Sequence, residues 1–383
     1  MIGRYDIPGL SNNSTVISNT AYVRDNSVGL QLIDVSMPSL ATPICTVGSS
    51  VRGDAVAVES GVAYLADRDT DNGGLRIFDV SNPLLPTESG LYSLSFGNRR
   101  DVTLVGNQAY LSRGGFGFQS VDISTASAVG LIAEVDISSL TENVAVEGDY
   151  AYIVTRSSGE LRVYDISDPL APTLTGSLDL DSFVNAFAVV VKNNRAYIAS
   201  SGGLVIVDVS APSMPIVFGV DSEISLQYAT DIKVTGNLAF VSQPGSIFNP
   251  QGGIFIFDAS DPAAPVLLRN YDGDLARVSS YSAIDLQGDT VFASPYSDSP
   301  PTKIPNIHIL DAADPANVTL MGKFRASDHA NDITVNGNYF YVATETDGLG
   351  VMQKAPDLSP RYIQDSVTTA FTTQSPEKDT ASF

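Results

Sequence analysis

A chain of 383 residues with 31 Gly, 21 Pro and 43% hydrophobic residues has material for a large core and too many turn formers for a mainly helical fold. Its formal net charge of −22, with no Lys before Lys192, lacks the clustered cations that nucleic acid or an anionic membrane surface requires. An acidic surface of this kind favours solubility and attracts cations or basic partners.

The chain opens on a short stretch, Ile2 to Ile7, that reads as a lone strand and lacks signal-peptide form. Two patterns then alternate. The first is an apolar-alternating strand, a Gly/Asn turn, then a small residue, an aromatic and a β-branched residue or Leu. It begins at Ala21-Tyr22-Val23 and Ala63-Tyr64-Leu65 and continues at Ala109-Tyr110-Leu111, Ala151-Tyr152-Ile153 and Ala196-Tyr197-Ile198. Looser copies are Ala239-Phe240-Val241, Val291-Phe292-Ala293 and Phe340-Tyr341-Val342.

The second pattern is Gly, an apolar strand, then Asp, as in Gly74-Leu75-Arg76-Ile77-Phe78-Asp79. Its Asp falls at Asp34, Asp79, Asp122, Asp165, Asp208, Asp258 and Asp311, and Gln353 replaces it in the last copy. Most copies run into a Ser-x-Pro turn and a further apolar strand. Each unit of roughly 45 residues thus predicts four short strands, a to d, in the manner of a propeller blade. The expected fold is all-β: one eight-bladed β-propeller over residues 1–353, closed by the N-terminal strand acting as strand d of the last blade. The rival closing strand is Arg361-Tyr362-Ile363-Gln364, and the alternative architecture is a seven-bladed ring with one irregular unit. Residues 354–383, rich in Pro, Ser, Thr and charge, predict a polar tail or linker. Cys45 is alone, so no intrachain disulfide forms, and it reads as a small core residue. No apolar run is long enough to span a bilayer.

The segment Gly203-Leu204-Val205-Ile206-Val207-Asp208-Val209-Ser210 and its sisters at Asp79, Asp165 and Asp258 resemble the signature of the LVIVD-repeat family. The resemblance covers about residues 2–353 and implies a β-propeller and a bacterial or archaeal surface or secreted protein. It brings no catalytic set.

The repeated Asp residues suit turn fixing by accepting backbone N–H groups, and the repeated aromatics suit the space between blades. At the start of strand a stand Asn13, Ala55, Asp101, Asn143, Ala188, Asp231, Ala283 and Asp332, expected at the channel mouth. Two readings stay open for them: caps of the d–a turns, or a polar ring around water or a cation.

From the strand-b aromatic to the strand-c Asp the spacing is 12, 15, 12, 13, 11, 18 and 19 residues in units one to seven. The long b–c loops of units six and seven share a face with the d–a loops, and long loops carry function. The candidate ligand-binding residues there are Phe248, Tyr296, Asp298, Asp274, Arg277, Tyr281, Asp328 and His329. Asp67, Asp69 and Asp71, at alternate positions, are the candidate metal ligands, for Ca²⁺, although the EF-hand pattern is not met. Arg52-Gly53-Asp54 spells an adhesion tripeptide, and Asn12, Asn13 and Asn317 begin glycosylation sequons.

Only His308 and His329 offer imidazole, and neither a phosphate loop nor a nucleophile elbow is present, so the reading leans away from an enzyme. The expected function is a non-catalytic cell-surface or secreted binding module with a protein or glycan partner, no nucleic acid and no membrane insertion. The alternatives are a propeller hydrolase or lyase acting on polysaccharide or peptide, and a structural subunit of an extracellular or virion assembly whose tail docks on a neighbour.

Overall fold

The computed structural model describes residues 3–5, 11–17, 19–25, 29–35, 42–47, 53–59, 62–67, 74–79, 81, 87–93, 102–115, 117–125, 128–180, 185–245, 252–272, 281–295, 307–324, 330–336, 339–344 and 348–353. After β1 (Gly3–Tyr5) come β2 (Ser11–Ile17), β3 (Thr20–Asp25), β4 (Gly29–Asp34) and β5 (Thr42–Val47), which form blade 1. Blade 2 is β6 (Gly53–Glu59), β7 (Val62–Asp67), β8 (Gly74–Asp79) and β9 (Thr87–Ser93). Blade 3 is β10 (Val102–Val105), β11 (Gln108–Ser112), β12 (Phe118–Asp122) and β13 (Gly130–Val135). Blade 4 is β14 (Thr141–Glu147), β15 (Tyr150–Thr155), β16 (Glu160–Asp165) and β17 (Thr173–Asp179). Blade 5 is β18 (Ala186–Lys192), β19 (Arg195–Ser200), β20 (Gly203–Asp208) and β21 (Ile216–Asp221). Blade 6 is β22 (Asp231–Thr235), β23 (Leu238–Gln243), β24 (Gly253–Asp258) and β25 (Val266–Tyr271). Blade 7 is β26 (Tyr281–Gln287), β27 (Thr290–Pro295), β28 (Ile307–Asp311) and β29 (Thr319–Phe324). The last sheet joins β30 (Ala330–Asn336), β31 (Tyr339–Thr344) and β32 (Gly348–Gln353) to β1.

Every pairing is antiparallel, and the innermost strands follow one another around a ring that returns from β30 to β2. The first strand meets the last unit in register, Gly3 opposite Val351 and Tyr5 opposite Leu349.

One expected alternative does not hold. The seven-bladed alternative fails because the described strands form eight four-stranded sheets, and the rival closing strand fails because β1 takes the edge of β32 that Arg361–Gln364 would need; that segment and the tail lie outside the described residues. The closing strand is described over Gly3–Tyr5, within the expected Ile2 to Ile7. Among the described residues, buried side chains form six clusters, filling the walls from blades 2 and 3 round to blades 7 and 8.

Why strand c reads as an unbroken apolar run follows from its place. In β20, Gly203 to Val207 are all buried, because both faces of the strand meet neighbouring strands and blades. The strand-b aromatics fill the same walls: Tyr152, Phe240 and Phe292 are at most 2% exposed, each such burial worth about 1.5–3 kcal/mol. Strands c and d slip register at one recurring place, as between Ile77 and Phe78, Val163 and Tyr164, and Ile206 and Val207. A bulge there sharpens the right-handed twist that each blade needs.

Turn chemistry repeats with the blades. Asp79 accepts hydrogen bonds from the Ser81 backbone N–H at 2.9 Å and hydroxyl at 2.6 Å. Asp122, Asp165, Asp208 and Asp258 hold Ser124, Ser167, Ser210 and Ser260 through the same backbone bond. At the a–b turn of blade 4, Gly148 has φ +60° with nothing near its missing Cβ, so glycine is required there by conformation and not by space. Gly219 is the opposite case: a Cβ there would overlap the backbone of Pro262 and Ala263 in the next blade.

Candidate functional site

Strand a is the inner edge of each sheet, so part of its backbone has no strand partner and must be satisfied otherwise. Side chains of the preceding blade do this. Thr103 donates to the Val144 carbonyl at 2.8 Å, Asn143 accepts from Val189 N–H at 3.2 Å, and Asp285 accepts from Val335 N–H at 2.9 Å. Glu147 receives the N–H groups of Asn193 and Asn194 at 2.8 and 3.0 Å, and Lys192 donates to the Val234 carbonyl at 3.2 Å.

These contacts involve members of the channel-mouth set. Asn143 accepts a hydrogen bond from the next blade. Asp231 turns to the Ile284 backbone N–H and to Lys233, whose ammonium is 3.5 Å away; burial pushes its carboxyl above the ordinary aspartate range. Ala188 and Ala283 are packed at 7% exposure.

The b–c and d–a connections share one face. Beneath it Ser112, Thr155, Ser200, Ser242 and Ser294, at the strand-b ends, are fully buried. The hydroxyls of three of them stitch the rim: Thr155 accepts from Glu160 N–H at 3.0 Å, Ser200 donates to the Gly203 carbonyl at 2.9 Å, and Ser294 accepts from Ala283 N–H at 3.1 Å.

On this face three residues converge, two from connections and one from the start of β18. Arg156 follows β15, its backbone N–H bonded to the Leu140 carbonyl at 2.8 Å. Phe187 is the extra residue of a bulge in β18: Ala186 pairs with Ser200 and Ala188 with Ala199. That bulge turns its ring toward the rim. Tyr228 lies in the segment between β21 and β22. The Arg156 guanidinium carbon sits 5.3 Å from each ring centroid, and the two rings are 5.7 Å apart at 49°. Such cation–π contacts contribute about 0.5–1 kcal/mol when exposed.

Tyr228 has φ +66° yet leaves 52% of its surface in water. Its neighbours fix it: Leu226 is fully buried and bonds Ser200, Ala229 N–H bonds the Leu226 carbonyl, and Thr230 N–H bonds the Ser242 carbonyl. A non-glycine residue in the left-handed region costs about 1–2 kcal/mol, and here the cost is not offset by burying the ring.

None of these three residues was among the sequence candidates. A signal was present: just before the strand-a reference positions stand Asn12, Asp54, Arg100, Glu142, Thr230, Ser282 and Asn331, and only Phe187 is apolar there. Of the predicted ligand residues, Tyr281 is fully buried, with its hydroxyl on His308 Nδ1 at 2.7 Å. Phe248, Tyr296, Asp298, Asp274, Arg277, Asp328 and His329 lie outside the described residues. So do Asp69 and Asp71 of the proposed Ca²⁺ set, while Asp67 ends β7. Among the described residues no three His, Cys, Asp or Glu side chains gather as a metal site. Arg52 is outside them as well, and Gly53-Asp54 opens β6. Among the described residues no helix is long and apolar enough to cross a membrane.

Four-stranded antiparallel sheets set radially about a ring define a β-propeller. The LVIVD repeat profile matches residues 8–45, 52–93, 96–137, 140–180, 185–220, 227–273 and 327–352, and the chain belongs to the LVIVD repeat family. A search of curated proteins gives no match. Among solved structures, the computationally designed Ika8 protein is similar at TM-score 0.71 and 10% identity, over 91% of this chain and 98% of that one. BamB from Moraxella catarrhalis gives TM-score 0.62 at 12% identity, covering 91% and 96% of the two chains. Sqt1 of Chaetomium thermophilum, solved bound to the N-terminus of the ribosomal protein L10, gives TM-score 0.65 at 13% identity over 90% and 92%.

Proposed function

We propose that this protein is a non-catalytic interaction module that holds a segment of a protein partner against its b–c and d–a loop face. The carrying observation is Tyr228, kept in a costly backbone conformation with its ring half in water beside Arg156 and Phe187. Tyr and Arg on rigid supports are the residue types that dominate binding energy at protein interfaces. That a propeller of similar fold, Sqt1, was solved with a protein N-terminus bound supports the class of partner. Phe248, Tyr296, Asp298, Asp274, Arg277, Asp328 and His329 belong to connections of the same face by sequence and are proposed as further contacts. Placement at a cell surface or outside the cell belongs to the same proposal, supported by the acidic composition.

The test is a random peptide display library panned on the protein and re-measured on Tyr228→Ser and Arg156→Ser. An enriched peptide that binds each variant at least tenfold more weakly supports the proposal. Enrichment that survives both variants unchanged removes this site. Weakening by Tyr296→Ala and Asp298→Ala alone would move it to the longer loops, and enrichment of glycan binders in place of peptides would change the partner.

A further inference from the structure

The outermost strand of each blade presents a backbone edge, and proteins protect such edges with charge, polar side chains or cover. Most outer strands here comply: β9 carries Glu88, β13 Glu134, β25 Arg269 and β29 Lys323, and β17 is rich in Thr and Ser. Blade 5 departs from them, because the one charge of β21, Asp221, is buried against Leu267. From Val209 to Val220 there is no charged residue, and β21 exposes Ile216 at 54%, Val217 at 41% and Val220 at 46%. Met214 before it and Val266 of the next blade extend the apolar surface.

Among the described residues no strand pairs with the outer edge of β21. The strand is nevertheless firmly held. Gly219 lies against the Pro262–Ala263 turn of blade 6, and Asp221 Oδ2 accepts the Leu267 N–H at 2.6 Å. An apolar edge of this kind is a prepared template for strand addition, in which main-chain bonds give affinity and alternate side chains give specificity.

Charge selects the occupant. Ile216 stands opposite Asp208 and Val266 opposite Asp258, with Glu223 and Asp261 exposed nearby in sequence, so the apolar strip has an acidic rim on a chain of net charge −22. A second copy would bring the same acidic rim against it. We propose that the outer edge of β21 accepts an extended, apolar segment of a protein partner, flanked by Lys or Arg, as a fifth strand of blade 5.

The probe is a fluorescein-labelled decapeptide of alternating Val and Lys, titrated by anisotropy at physiological ionic strength. Two control peptides accompany it, one with Glu for Lys and one with a central Pro that blocks strand pairing. The expected result is binding of the Lys peptide, at least tenfold weaker binding of both controls, and slowed amide exchange in β21. Val217→Lys/Val220→Lys lowers the affinity at least tenfold; Val217→Thr/Val220→Thr, which keeps strand propensity and an unchanged melt, lowers it in the same direction. Equal binding of the Pro peptide, protection elsewhere than β21, or unchanged affinity in both variants would overturn the proposal. A concentration-dependent dimer in sedimentation, with β21 protected and no peptide present, would overturn it in favour of a second copy.

Discussion

The hydroxyl of Tyr281 and Nδ1 of His308 share a hydrogen bond of 2.7 Å where both side chains are fully buried. Tyr271 stands edge-on to the same imidazole, 6.1 Å between centroids at 83°. His308 occupies the strand-c position held by Gln31, Arg76, Gln119 and Arg162 in blades 1 to 4 and by Val205 and Phe255 in blades 5 and 6.

Tyr281→Phe leaves His308 Nδ1 buried without that partner and is expected to cost about 1–3 kcal/mol in urea unfolding. Tyr281→Phe combined with His308→Leu should lie closer to the native protein than the sum of the single changes. Additive losses would show that the pair is not coupled.

Asp285→Ala removes the carboxylate that receives Val335 N–H across the wall between blades 7 and 8. The expected loss is about 1–3 kcal/mol for a part-buried donor left unmet, while Asp285→Asn recovers most of it. The same measurement with faster amide exchange at Val335 in Asp285→Ala would localise the effect.

Asp79, Asp122 and Asp165 are held below the ordinary aspartate range, first by hydrogen bonds from the Ser81, Ser124 and Ser167 side chains and then by backbone N–H groups. A lowered folded pKa means stability that is present above the unfolded value and lost as pH falls through the folded one. The thermal midpoint should therefore drop on acidification below about pH 4. In carbonyl carbon NMR these three carboxyls should titrate at lower pH than an exposed, unbonded aspartate, and Ser167→Ala should bring Asp165 back toward the ordinary value.

Gly219→Ala places a methyl group against the Pro262–Ala263 backbone and is expected to cost about 1–3 kcal/mol through overpacking. Gly148→Ala meets open space and should cost about 1–2 kcal/mol, from φ alone. Tyr228→Gly relieves the left-handed strain and should raise the melting temperature while abolishing any partner binding at that loop face.

Much of the fold was legible in sequence because the repeat writes the same physics many times. The Ala-Tyr-Ile pattern marks strand b, the run ending at Asp208 marks a strand buried on both faces, and Asp followed by Ser marks the turn after it. These signals are local, set by strand alternation and turn chemistry, and each copy supports the others. What the sequence could not supply were relations between blades: that Asn143 bonds Val189 forty-six residues on, or that Arg156, Phe187 and Tyr228 meet on one rim. Their partners are chosen by how one sheet is seated against the next, and no local pattern carries that distance. The loop-length argument pointed to residues that, Tyr281 apart, lie outside the described ones. A bulge that turns one ring and a backbone angle that exposes another are decided only when the ring of sheets is assembled.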